Sequence, residues 1–285
     1  VRRGFRPLIL LVAILTLAPA AAAKKQHVPK LDFGEKEINI NLSDSPSSGL
    51  MFDLDDGTVL WSDNARSTRP IASLTKLMTA LIVVDELDPK DKVKISSEAA
   101  GQPPVEIGLK AGTTMRTDDL MTAMLIPSAN DAAVALADEI DHSARRFAST
   151  MNDRARKLDL GCTRYRTPSG LSDNDESCAE DLAKITMLAL DEPRIADVVK
   201  KRSDKLKVPG KGKVRVVSTN PLHRDNYHGT IGVKTGFTDA AGHCLIAAVK
   251  QHGTTLVAIL LDSPDTGPQA KKLLEKGFDE VKDRK

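Results

Sequence analysis

A serine and a lysine three residues apart, Ser73 and Lys76, lie inside the apolar stretch RPIASLTKLMTALIVVDE, residues 69–86. Helical spacing puts the two on one face, a single turn from each other. Nearly every side chain over residues 71–84 is apolar or small, the pattern of a helix covered on all sides. Taking an ammonium out of water disfavours its charged form, so a lysine here tends toward a lowered pKa. Such an amine can take the proton of a neighbouring hydroxyl and make it a nucleophile. At the start of a helix, Ser73 would also have backbone N–H groups and the helix dipole to stabilise developing negative charge. The plainer reading of the pair alone is a capping serine beside a lysine that snorkels to the surface.

Two other groups of residues change that weighing. PSAN, residues 127–130, presents Ser128, Ala129 and Asn130 in a loop after a proline break between two helical patterns. VKTGF, residues 233–237, places Lys234, Thr235 and Gly236 on a strand-like run near the C-terminal end. A glycine in such a strand lets another backbone come close.

These groups must be carried by elements the sequence also announces. GLMFDLDDGTVLWS reads as two strands around a turn at Asp56-Gly57. A helix from about Ser73 follows, with Pro70 near its start, and residues 89–112 are turn-rich. Helical patterns return in TDDLMTAMLI, ANDAAVALADEI, ARRFASTMNDRARKL and AEDLAKITMLAL. After Lys207 the character turns to strands: KVRVVS, GTIGVKTG, then HCLIAAVK and TTLVAILL around Gln251-His252-Gly253. The last segment puts Ala270, Leu273, Leu274, Phe278 and Val281 on one helical face. The expected fold class is α/β in the α+β sense: an antiparallel sheet from both ends of the chain, flanked by helices, with an inserted helical lobe.

Ser-x-x-Lys, a middle serine motif and Lys-Thr-Gly in this order resemble the serine penicillin-recognising enzymes, the class A β-lactamases and penicillin-binding proteins. With TPSGLSDND and KTGFTDAAGHCL, over residues 49–262, the chain is similar to the low-molecular-mass D-alanyl-D-alanine peptidases, most of all to the penicillin-binding protein 7 type of D-alanyl-D-alanine endopeptidase. The resemblance implies a β-lactamase/transpeptidase-like fold, with Ser73 as the acylated nucleophile and Lys76 as its base. It implies that Ser128 relays a proton to the leaving amine and that Asn130 orients the substrate amide and Lys76. Lys234 and Thr235 would hold the carboxylate of the residue after the scissile bond, beside Gly236. The backbone N–H groups of Ser73 and Phe237 would form the oxyanion hole. The implied substrates are peptidoglycan peptides, with the D-alanyl bond to meso-diaminopimelate favoured and D-alanyl-D-alanine carboxypeptidase action as runner-up. β-Lactam antibiotics are then expected as covalent inhibitors, and no cofactor is expected.

Ala129 stands where β-lactamases usually carry aspartate, which leans toward a peptidase. Class A β-lactamases also carry Glu-x-x-Leu-Asn beyond the middle motif; that position falls near Arg166, and the motif occurs nowhere in the chain. A non-catalytic penicillin sensor would usually be joined to transmembrane segments, and no second apolar span is present. A zinc peptidase finds no His-Glu-x-x-His or Cys-x-x-Cys spacing, and His27, His142, His223, His228, His243 and His252 read as solvated rather than as ligands.

The chain opens VRRGFRPLILLVAILTLAPAAAAKK, with arginines, a short apolar run and small residues, which reads as a secretory signal peptide over residues 1–23. An N-terminal extension (24–48) and one peptidase domain (49–285) would follow, in the periplasm and at most peripherally associated with a membrane. Removal of 1–23 would leave 262 residues, enough for one large core, and take the formal charge from +2 to −1. That balance and an aromatic content of 3% point away from nucleic acid. In an oxidising compartment Cys162 and Cys178 could close a loop, or remain separate buried thiols; Cys244 opens a strand and packs. The acidic stretch Asp173, Asp175, Glu176 and Asp181 reads as a solvated face and helix start, and HRDNYHG, residues 223–229, as a possible rim to the cleft.

Overall fold

A computed structural model describes residues 29–34, 37–42 and 44–283. The predicted signal segment lies outside these residues, as does part of the predicted extension. Five strands form one antiparallel sheet: β1 (Ser48–Asp53), β2 (Val59–Asp63), β3 (Thr230–Thr238), β4 (Gly242–Gln251) and β5 (Thr254–Leu261). Their order across the sheet is β2-β1-β5-β4-β3, so strands from the two ends of the chain pair at its centre. The register sets Leu50 against Ile259 on one side of β5 and Ile246 against Ile259 on the other.

Successive strand residues point to opposite faces, and here both faces are apolar because both are covered. Leu50, Phe52, Ile246, Ala248, Val257 and Ile259 belong to the larger core cluster. Met51, Leu245, Ala247, Val249, Leu256 and Ala258 belong to the second. The second cluster is closed by the C-terminal helix (Thr266–Asp283), which buries Ala270, Leu273 and Leu274 and packs Phe278 and Val281 beside them. The face expected from its spacing is the face it buries. No helix among the described residues is long and apolar enough to cross a membrane.

The larger cluster joins the other sheet face to the helical lobe. Its helices are α1 (Lys76–Glu86), α2 (Thr117–Leu125), α3 (Asn130–Asp141), α4 (Ala144–Lys157), α5 (Ala179–Asp191) and α6 (Pro193–Val199). Helix α1 is buried on every side over its first eight residues, which is why its sequence shows so little polar alternation. The turn-rich segment resolves into a two-stranded ladder, Lys92–Lys94 with Thr114–Arg116, and a short helix at Ser97–Ala100. KVRVVS pairs with Ser203–Val208, a strand that begins before the predicted change of character at Lys207. In SDKLKV only Leu206 and Val208 are buried, alternating with exposed Lys205 and Lys207, so the apolar signal is two residues long.

Cys162 and Cys178 form a disulfide, with Cα atoms 5.6 Å apart across a separation of 16 residues. Cys244 remains a buried thiol, and burial pushes its pKa up to about 11. Replacing both bonded cysteines with serine should lower stability by about 3 kcal/mol, read as a lower urea midpoint with unchanged slope.

Candidate active site

The turn that carries Ser73 is a 3-10 segment, Ala72–Thr75, running directly into α1. It is held from three sides. Arg69, just before it, pairs with Asp262 at the end of β5 at 2.7 Å. Gly236 of β3 faces it so closely that a Cβ there would lie 3.0 Å from the Ser73 backbone nitrogen. Gly170, in the loop before α5, would put a Cβ 1.9 Å from the Ala72 carbonyl oxygen. Ala72 itself adopts φ +46°, and Ser128 adopts φ +72°, left-handed conformations that non-glycine residues enter at a cost. Both sit next to or on motif residues.

Lys76 is fully buried rather than snorkelling. Its Nζ donates to Ser73 Oγ at 2.8 Å, Asn130 Oδ1 at 2.8 Å and the Ser169 carbonyl at 2.6 Å. Burial and the neighbouring Lys234 push its pKa well below the usual lysine range, while the nearby Asp175 pulls upward. An amine freed of one proton here turns its lone pair toward Ser73 Oγ. Lys234 is also buried; its Nζ donates to Ser128 Oγ at 2.8 Å and to the Thr235 carbonyl at 2.7 Å. Burial brings its pKa down to about 7. Two lysine amines thus share one buried site, each linked to a motif serine.

Asn130 opens α3, with its Nδ2 donating to the Pro103 carbonyl at 3.1 Å. Asp131 accepts from the Ile107 and Leu109 backbone nitrogens, fixing the segment beside the cleft. The cleft itself is about 570 Å³ and is lined by Ser73, Ser128, Thr235, Gly236 and Phe237. It continues past Thr235 to Thr219, Arg224, Asp265 and Gly267. Thr219 and Thr235 hydroxyls meet at 2.5 Å. Phe237 is 56% exposed and lies against His243 across the β3–β4 pair, ring centroids 4.5 Å apart.

The structure therefore gathers every sequence-predicted site residue: Ser73, Lys76, Asn130 and Ser128 at the base, and Lys234, Thr235, Gly236 and Phe237 along one edge. Three expectations need correction. Asp175 and Asp181 are buried, not a solvated face; only Asp173 is exposed. Each is hydrogen-bonded by N–H and O–H donors where it is buried: Asp181 Oδ2, for example, accepts from Cys162 N and Thr163 Oγ1, both at 2.8 Å. His223 is buried too, and burial lowers its pKa, holding the ring neutral. Of the segment 223–229, Arg224 lines the cleft, whereas Asp225 pairs outward with Lys271. Among the described residues the one cluster spaced for a metal is Cys162, Cys178 and Asp181, and two of its three donors are bonded to each other.

Sequence reasoning gave no chemistry to Ser169, whose carbonyl touches both Lys76 and, at 3.5 Å, Ser73 Oγ. A backbone acceptor leaves no mark in residue type. Its only signal was the TPSGLSDND resemblance.

The profile of the D-alanyl-D-alanine carboxypeptidase family matches residues 41–265. A D-alanyl-D-alanine endopeptidase of Escherichia coli is 32% identical over 262 residues, covering 90% of this chain and 81% of that protein. A D-alanyl-D-alanine carboxypeptidase of Bacillus subtilis is 30% identical over 286 residues, covering 97% and 71%. The crystal structure of a D-alanyl-D-alanine carboxypeptidase from Mycobacterium tuberculosis superposes with a TM-score of 0.80 at 28% identity, over 87% of this chain and 96% of that one. With the expected sheet-and-lobe architecture in place, the chain belongs to the D-alanyl-D-alanine carboxypeptidase family of serine peptidases.

Proposed function

We propose that the enzyme opens peptidoglycan cross-links by hydrolysing D-alanyl–meso-diaminopimelate bonds through an ester on Ser73. The observation that carries this is the buried Lys76 amine, 2.8 Å from Ser73 Oγ and held by Asn130 and Ser169. In this reading Lys76 takes the Ser73 proton as Oγ attacks the D-alanyl carbonyl carbon. The Ser73 and Phe237 backbone N–H groups receive the oxyanion. Ser128, linked to Lys234, relays that proton from Lys76 to the departing amine, giving its own hydroxyl proton and taking back the one on Lys76. The leaving residue keeps its carboxylate on Lys234 and Thr235. Water then cleaves the ester and restores Ser73.

The endopeptidase arm is favoured by the cleft's extension beyond Thr235 toward Arg224 and Asp265, which leaves room for a leaving residue larger than D-alanine. Carboxypeptidase action uses the same carboxylate anchor and is the second reading. The enzyme would work on the wall outside the cytoplasmic membrane, in the periplasm, after loss of residues 1–23. Penicillin is expected to acylate Ser73 and leave slowly. Arg166, near the position of the missing β-lactamase glutamate, lines a different concavity, with Arg156 and Arg164. Digestion of purified muropeptides checks the substrate: cross-linked dimers should fall to monomers. Dimers left intact while pentapeptides lose terminal D-alanine would overturn the endopeptidase reading.

A further inference from the structure

Asp175 is a carboxyl group without solvent contact at the end of TPSGLSDND, and none of the site roles above uses it. Its four hydrogen-bond partners are all donors: the backbone nitrogens of Arg166 at 2.6 Å, Thr167 at 2.9 Å and Ser172 at 3.2 Å, and Thr167 Oγ1 at 2.5 Å. These donors favour the anion, while burial works against them and raises the carboxyl's pKa. Its own backbone carbonyl accepts from Ile71 N, two residues before Ser73. Thr167 Oγ1 passes the hold onward by accepting from Gly170 N at 2.9 Å and Leu171 N at 3.2 Å. Between those anchors lies Ser169, the residue whose carbonyl meets Lys76. The loop's base is closed by the Cys162–Cys178 disulfide and by mutual backbone bonds between Arg164 and Glu176.

We propose that Asp175 is a positioning residue: it ties the 166–172 turn into one rigid piece that presents the Ser169 carbonyl to the Lys76 amine, and it places a fixed negative charge behind that amine. It touches neither substrate nor reacting atoms and acts through Ser169 and Lys76. The inference rests on the Lys76 role proposed above. The charged groups that bear on Lys76 are Lys234 from β3, which opposes its ammonium form, and Asp175 from this loop, which favours it.

The test is Asp175→Asn, which keeps the shape and removes the charge. Lys76 is followed directly by NMR of ε-13C-labelled lysine, its resonance assigned by loss in Lys76→Met. Removing a nearby anion destabilises the ammonium, so the Lys76 titration should move to lower pH, with the acid limb of penicillin acylation moving the same way. The plateau acylation rate should fall about tenfold as the Ser169 carbonyl loosens. A Lys76 titration that does not move overturns the proposal, even if the rate falls, because that is the mark of a merely structural residue. The NMR readout needs no turnover, so it decides this inference even if the enzyme proves to have another substrate. Should Asp175→Asn fail to fold, Thr167→Val and Thr167→Ser decide: acylation slowed by valine and restored by serine supports the proposal, and valine at the wild-type rate overturns it.

Discussion

Ser73→Ala protein will form no covalent adduct with penicillin, and Lys76→Met will form it about 10³-fold more slowly than wild type, the middle of the range for losing a positioned general base. Intact-protein mass against time measures both. The argument turns on why the second variant stays folded. Keeping an ammonium out of water costs several kcal/mol, and methionine removes that cost while filling a similar volume. Against this, Asn130 Oδ1 and the Ser169 carbonyl lose their donor, at about 1–3 kcal/mol each. The two effects oppose, leaving a net change within about 2 kcal/mol and a melting temperature near that of wild type. A Lys76→Met protein that melts normally yet acylates at the wild-type rate would remove the base from the mechanism.

Gly170→Ala is expected to damage both fold and activity. Gly170 sits at φ +83°, where an L side chain is strained by about 1–2 kcal/mol. The added Cβ would also lie 1.9 Å from the Ala72 carbonyl oxygen and 2.4 Å from its carbon, both backbone atoms that cannot swing aside. Either the loop or the Ser73 turn must move. A shift on the order of 1 Å at the nucleophile corresponds to about 10²-fold in rate. We expect a loss of about 3 kcal/mol or more in stability together with that loss of acylation. Gly253→Ala is the control. It shares the positive φ, +85°, but has nothing within 4 Å, so it should cost only about 1 kcal/mol and leave acylation untouched. Equal damage from both variants would mean that backbone strain alone, and not the clash with Ala72, is responsible.

The parts of the site legible in the sequence were those whose chemistry resides in side chains. Ser73, Lys76, Ser128, Asn130, Lys234 and Thr235 are few, ordered, and placed where an apolar helix, a proline-broken loop and a late strand could hold them. Asp175 was misread because charge by itself predicts solvent; what buries it is a set of backbone donors that exists only once the 166–172 turn has formed. Ser169 was invisible for the related reason that its function is a carbonyl. In the fold, the sheet and the C-terminal helix followed from apolar periodicity. The Ser203–Val208 strand did not, because its alternation rests on only two apolar residues, Leu206 and Val208, interleaved with lysines.

The central pairing of β1 with β5 joins residues some two hundred positions apart: the Asp55 carboxylate accepts from Thr255 N across a separation of 200. The β1–β2 hairpin must therefore wait for residues 254–261 before it can join the β3–β4–β5 strands and complete the sheet. Such distant pairing slows folding, since the entropy of closing a long loop is lost before any contact repays it. A nascent chain of this kind stays open and threadable for longer than one built from local hairpins.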